Sequence, residues 1–151
     1  MSDLEKILWT SASTILGGVI LFVIGQLLSK FLIEPIQELR KAIGEVRFNL
    51  AYYAPIIHTP ISRDKEQSDK VYDAIMRNSC DLFTKADAIP FYKFLPQKFV
   101  LPIKNIDGAA VDLRALTTYL HETGETAASH IEEVNRLVKS IERQLQLRPL
   151  E

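Results

Sequence analysis

Twenty-three consecutive residues, Ile7 to Ser29 (ILWTSASTILGGVILFVIGQLLS), carry no charge. As a helix rising ~1.5 Å per residue they extend ~35 Å, enough to cross a bilayer core of ~30 Å with some tilt. No other stretch limits the fold so strongly. A cleaved leader needs a shorter apolar core, a basic start and a small-x-small cleavage site. Here Asp3 and Glu5 flank Lys6, and no such site follows Gln26. A buried helix of a soluble protein must be covered on every side, and the remaining 120 or so residues are too few to cover a rod this long. The expectation is a membrane span.

The flanks orient it. Lys6 stands alone before the run, whereas Lys30, Arg40, Lys41 and Arg47 follow it closely. The more basic side stays cytoplasmic, so the N-terminus is expected outside and the C-terminal domain in the cytoplasm. Cys80 is the single cysteine. It forms no intrachain disulfide, which fits a reducing compartment. Ser2 and Glu5 have capping-box spacing at the helix start, and Trp9 stands where an interfacial aromatic belongs.

The run has an inner rhythm. Leu8, Ser11, Ile15, Gly18, Phe22, Gly25, Ser29 and Leu32 recur at alternating threes and fours. Helices in lipid associate where small residues let their backbones approach. Ser11, Gly18, Gly25 and Ser29 are therefore the expected self-association seam, with Thr10, Ser13, Thr14 and Gly17 on the neighbouring face and homo-oligomers as the outcome. Gln26 offers either an interhelical hydrogen bond or a headgroup contact. The rhythm continues through Ile36, Leu39, Ile43, Val46 and Leu50, a second seam belonging to a helix bundle, widened by Phe48 and Tyr52. Pro35 predicts a kink or a fresh helix start, because it lacks a backbone donor.

The stretch E-P-I-Q-E-L-R-K-A-I-G-E (Glu34 to Glu45) resembles the first helix of a HAMP-type signalling linker. That family's acidic-glycine second helix is missing, and Pro55-Ile-Ile-His-Thr-Pro60 stands in its place. More broadly, an anchor with G-x-x-x-x-x-x-G-Q (Gly18 to Gln26) followed by E-P-I-Q-E-x-R-x-x-I-G-E resembles small single-anchor bacterial membrane proteins of unassigned activity. The resemblance implies a bacterial inner membrane and supplies no catalytic residues.

The rest reads as helices. Ser62 or Asp64 is positioned to cap one whose apolar positions include Val71, Ile75, Leu82, Phe83 and Ala86, ending at Pro90, with Cys80 expected as a buried packing residue. Residues 90–104, PFYKFLPQKFVLPIK, hold three prolines and no acid. Phe91, Tyr92, Phe94 and Phe99 interleave there with Lys93, Lys98 and Lys104. Two readings stand: a loop lying on the membrane surface, or a crossover whose aromatics plug the end of the bundle. Asn105 or Asp107 is expected to cap a helix striped by Ile106, Ala110, Leu113, Leu116 and Leu120. Gly124 either breaks it or kinks one long helix, and beyond it runs a last stripe of Ala127, Ile131, Val134, Val138, Ile141 and Leu145. Ser129 to Glu132 again has capping-box spacing, and Glu132 with Arg136 is an i, i+4 pair. The predicted fold is all-α: an anchor over 1–34, then a cytosolic antiparallel bundle of about four helices over 35–151, with a crossover at 90–104.

Chemistry is thinly represented. Of 18 basic and 19 acidic residues, 17 of each follow the span. So neutral a domain is not built to neutralise nucleic-acid phosphates. His121, Glu122, Glu125 and His130 are the one gathering of metal-ligand types, without the spacing of a metal motif. No nucleophile elbow or phosphate loop is present. The expected function is a non-enzymatic, membrane-anchored interaction module without cofactor or metal. Its partners are the lipid bilayer, its own copies and a cytosolic protein. The alternative is a membrane-active effector or signalling adaptor whose bundle restrains anchor oligomerisation.

Overall fold

The computed structural model describes residues 3–58, 65–120 and 129–148. Among them there is helix and no strand. Helix α1 covers Asp3–Leu28, passes through a π-helical turn at Ser29–Ile33, and continues as α2, Glu34–Tyr52. The three pieces form one 50-residue helix, and its apolar N-terminal part is long enough to cross a membrane. Pro35 explains the wide turn. A proline cannot donate to the carbonyl four residues back and crowds it. The chain answers without breaking: the Glu34 N–H reaches the Ser29 carbonyl, five residues back, and Pro35 falls in the first turn of α2. The expected kink or fresh start is thus replaced by a continuous helix with one widened turn.

Four long helices then pack up and down. A short helix α3 (Ala54–His58) turns the chain at the end far from the anchor. Helix α4 (Lys65–Asp87) returns along α2, α5 (Ile103–Tyr119) packs on α4, and α6 (Ile131–Gln144) packs on α5. Polar pairs fix the directions. Glu38 meets Lys85 at the anchor end and Asn49 meets Asn78 further along, so α2 and α4 are antiparallel. Asn105 meets Gln144 while Tyr119 meets His130, so α5 and α6 are antiparallel too.

The core is built from the predicted stripes. Leu39, Val46 and Leu50 of α2, Val71, Ile75 and Leu82 of α4, Ile106, Leu113 and Leu116 of α5, and Val134, Val138 and Ile141 of α6 are all buried. Small residues bring α4 and α5 close: Ser79, Ala109 and Ala110 are fully buried, and the Ser79 hydroxyl donates to the Ala110 carbonyl at 2.7 Å.

Four local expectations are corrected. Cys80 is exposed; the inward face of α4 runs through Val71, Ile75, Asn78, Ser79 and Leu82, and one residue past Ser79 the helix has turned ~100° away. Helix α5 begins two residues before Asn105, behind an extended Pro102. The Asn105 amide is left to bond the Gln144 carbonyl at the end of α6. Arg136 pairs with Glu133, three residues back and in a two-pronged arrangement, in place of Glu132. Helix α6 is preceded by His130, which makes no side-chain cap bond. The proposed caps Ser2, Ser62 and Asp64, the break at Gly124 and the stripe position Ala127 lie outside the described residues.

Candidate functional site

Two of the surfaces that stand out are the bare anchor and the anchor-side end of the bundle. No residue of α1 is buried. Ser11, Gly18 and Gly25 are exposed along it, and Ser29 is half-buried where the π turn begins. A Cβ added at Gly17, Gly18 or Gly25 meets nothing within 4 Å. The hydroxyls of Thr10 and Thr14 bond back to the carbonyls of Lys6 and Thr10, at 2.8 and 2.9 Å. Their polar groups are satisfied inside the helix, as a hydrocarbon surrounding demands. The second seam has a different fate. Leu39, Val46 and Leu50 are buried and Ile36 and Ile43 half-buried within their own chain, so that face is already occupied.

At the anchor-side end, Glu38 of α2 bonds Lys41 at 2.7 Å and Lys85 of α4 at 3.2 Å. These ammonium groups, Lys41 first, hold the Glu38 carboxyl below its ordinary range. Beside them lies a cleft lined by Lys30, Glu34, Pro35, Glu38, Lys85 and Ala88. The end of α4 therefore stands level with the exit of the anchor, and the crossover starts there.

The crossover is a folded element with two sides. On the inner side Val100 is buried, and Tyr92, Leu95 and Leu101 pack half-buried on the core. The Tyr92 hydroxyl donates to the Leu101 carbonyl at 2.6 Å, and the Arg40 guanidinium donates to the Phe99 carbonyl at 2.9 Å. Burial, helped by the nearby Asp107 carboxylate, pushes the Tyr92 phenol up to about 12. On the outer side Phe91, Phe94 and Phe99 are 78%, 85% and 60% exposed, and Lys93, Lys98 and Lys104 are exposed with them. Phe91 adopts a left-handed backbone, φ 57°, a conformation uncommon for a bulky residue and found where the surroundings impose it.

No family model, curated protein or solved structure matches this chain.

Among the described residues no cluster of His, Cys, Asp and Glu has the makings of a metal site. His121, Glu122 and Glu125 lie outside them, and His130 stacks edge-on against Tyr119 with ring centroids 5.1 Å apart. Sequence reasoning offers residues 90–104 as a membrane-surface loop or as a plug and does not fix the end of the bundle at which they lie; the structure puts them at the anchor end. The signal was parity: in an up-and-down bundle, the connection after the second long helix must return to the end from which the first one left.

Proposed function

We propose that this chain is a non-enzymatic, single-span protein of a bacterial inner membrane, with its N-terminus outside, whose anchor self-associates and whose cytosolic bundle holds a protein partner at the membrane. The observation that carries this reading is the contrast along one unbroken helix: among the described residues, α2 buries one face against its own chain and α1 buries no residue. An apolar helix with its whole circumference open is suited to lipid and to other helices in lipid. The open space at Gly18 and Gly25 supports close approach of a second copy. The stacked, exposed pair Phe48 and Tyr52, at 5.6 Å, supports a partner surface on the bundle. In the effector reading the bundle restrains the anchor. That would require the bundle to cover part of α1, and the bare surface of α1 favours the tethering reading.

The test is the oligomeric mass of the whole chain in detergent beside that of the Gly18→Leu, Gly25→Leu double variant. The variant is expected to run as a smaller species. Equal masses for the two would remove the seam. A reporter fused after Glu151 and active only outside the cytoplasm is expected to stay silent.

A further inference from the structure

We propose that residues 90–104 form a second membrane contact. Phe91, Phe94 and Phe99 enter the interface of the leaflet from which the anchor emerges, and Lys93, Lys98 and Lys104 stand against its anionic headgroups. The proposal rests on the anchor reading above and adds a lipid-binding element to it.

Three observations converge. The first is height. Phe31 and Ile33 are still 60% and 49% exposed and extend the apolar surface past Lys30. Arg40, which holds the Phe99 carbonyl, is seven residues beyond Ile33, or ~10 Å along the axis. The headgroup layer is ~5–8 Å deep on each side of the hydrocarbon. Ala88, just before the loop, shares a cleft with Lys30 and Pro35. The loop therefore begins at headgroup level, and its Phe99 end lies at the outer edge of that layer, within reach of the Arg40 side chain.

The second is the division of labour within the loop. The inner positions Tyr92, Leu95, Val100 and Leu101 already close the end of the bundle. The three phenylalanines are left over, so a plug does not explain them. Exposed phenyl rings at headgroup level can leave water for the acyl boundary, as amphipathic interfacial segments do.

The third is charge. The loop carries three lysines and no acid. Among the described residues none of the three makes an ion pair. Basic residues close to an anionic leaflet are attracted to it within a Debye length.

The experiment uses the full chain in vesicles, with Trp9→Phe removing the single native indole. Phe94→Trp or Phe91→Trp then reports on the loop, and Phe48→Trp, exposed near the end of α2 far from the anchor, is the control. With phospholipids brominated in the acyl chains, the two loop indoles are expected to be quenched about threefold more than the control. Adding Lys93→Glu and Lys98→Glu is expected to reduce that quenching in anionic vesicles and to leave it unchanged in zwitterionic ones. Quenching no greater than in the Phe48→Trp control, in protein that resists alkaline extraction from the vesicles, overturns the proposal and leaves the anchor intact. A blue-shifted but unquenched indole means that protein covers the loop, and overturns it as well. Extraction by alkali overturns the anchor reading and this proposal with it.

Discussion

The anchor and the first bundle helix carry the same apolar rhythm and meet opposite fates. Leu8 through Leu32 and Ile36 through Leu50 repeat at threes and fours, yet α1 buries no residue and α2 buries Leu39, Ala42, Val46 and Leu50. Periodicity identifies the face of a helix. The medium decides what that face does. In water an apolar stripe is driven against other helices. In lipid, large apolar side chains are already solvated, and association depends on small residues and close packing. The composition of the two stripes follows this rule: serine and glycine punctuate the first, and leucine, isoleucine and valine fill the second.

The sharpest way to break this comparison is to cut equivalent side chains from both stripes. Leu50→Ala leaves a cavity in a fully packed site and is expected to cost about 2–5 kcal/mol of bundle stability. Phe22→Ala, on the open anchor, is expected to change it by less than about 0.5 kcal/mol. Thermal unfolding in detergent, followed by helical circular dichroism, measures both. Equal losses would mean that the anchor packs against its own bundle.

Polar groups give a smaller contrast. Asn78 is buried, accepts from Asn49 at 3.2 Å and has no partner for its own amide nitrogen. Asn49→Ala strips the remaining bond from a buried group and is expected to cost about 1–3 kcal/mol. Adding Asn78→Leu should recover most of the loss, since no unpaired polar group then remains. Thr14→Val in the anchor removes a bond made within one helix and is expected to leave bundle unfolding unchanged.

The smallest effect is alkaline. Tyr92 has its phenol raised to about 12 by burial first and the Asp107 charge second. A group whose folded value lies above its unfolded one adds stability that is complete below the unfolded value, near 10, and is lost as pH climbs to the folded one. The crossover should therefore loosen between about pH 10 and 12. The ionised oxygen can no longer donate to Leu101. Tyr92→Phe is expected to abolish that step, and the anchor, with no titratable group from Ile7 to Ser29, should keep its helicity throughout. Absorbance of the phenolate and circular dichroism separate the two.

Much of the fold was legible because helix faces are written at fixed spacing. Ile106, Ala110, Leu113, Leu116 and Leu120 form one stripe in the sequence and one buried face in the bundle. What spacing leaves open is choice among near neighbours. Glu132 and Glu133 both lie within reach of Arg136, and only three-dimensional geometry selects Glu133. Asn105 has the chemistry of a cap, but Pro102 starts the helix earlier and hands its amide to α6. The crossover shows the same limit at larger scale. Its aromatic and basic composition was plain in the chain. Its inner and outer sides emerge only once Tyr92, Leu95 and Val100 have docked.

The turn at Ser29–Ile33 sets the azimuth of everything below it. Closing over five residues in place of four absorbs about one extra residue, which swings the downstream helix by roughly 100° relative to an uninterrupted α-helix. Two stripes that line up on paper therefore point in different compass directions in the molecule. In the proposed dimer, two copies clasped along Gly18 and Gly25 would not steer their bundles into head-on collision, and each bundle would swing clear of the other.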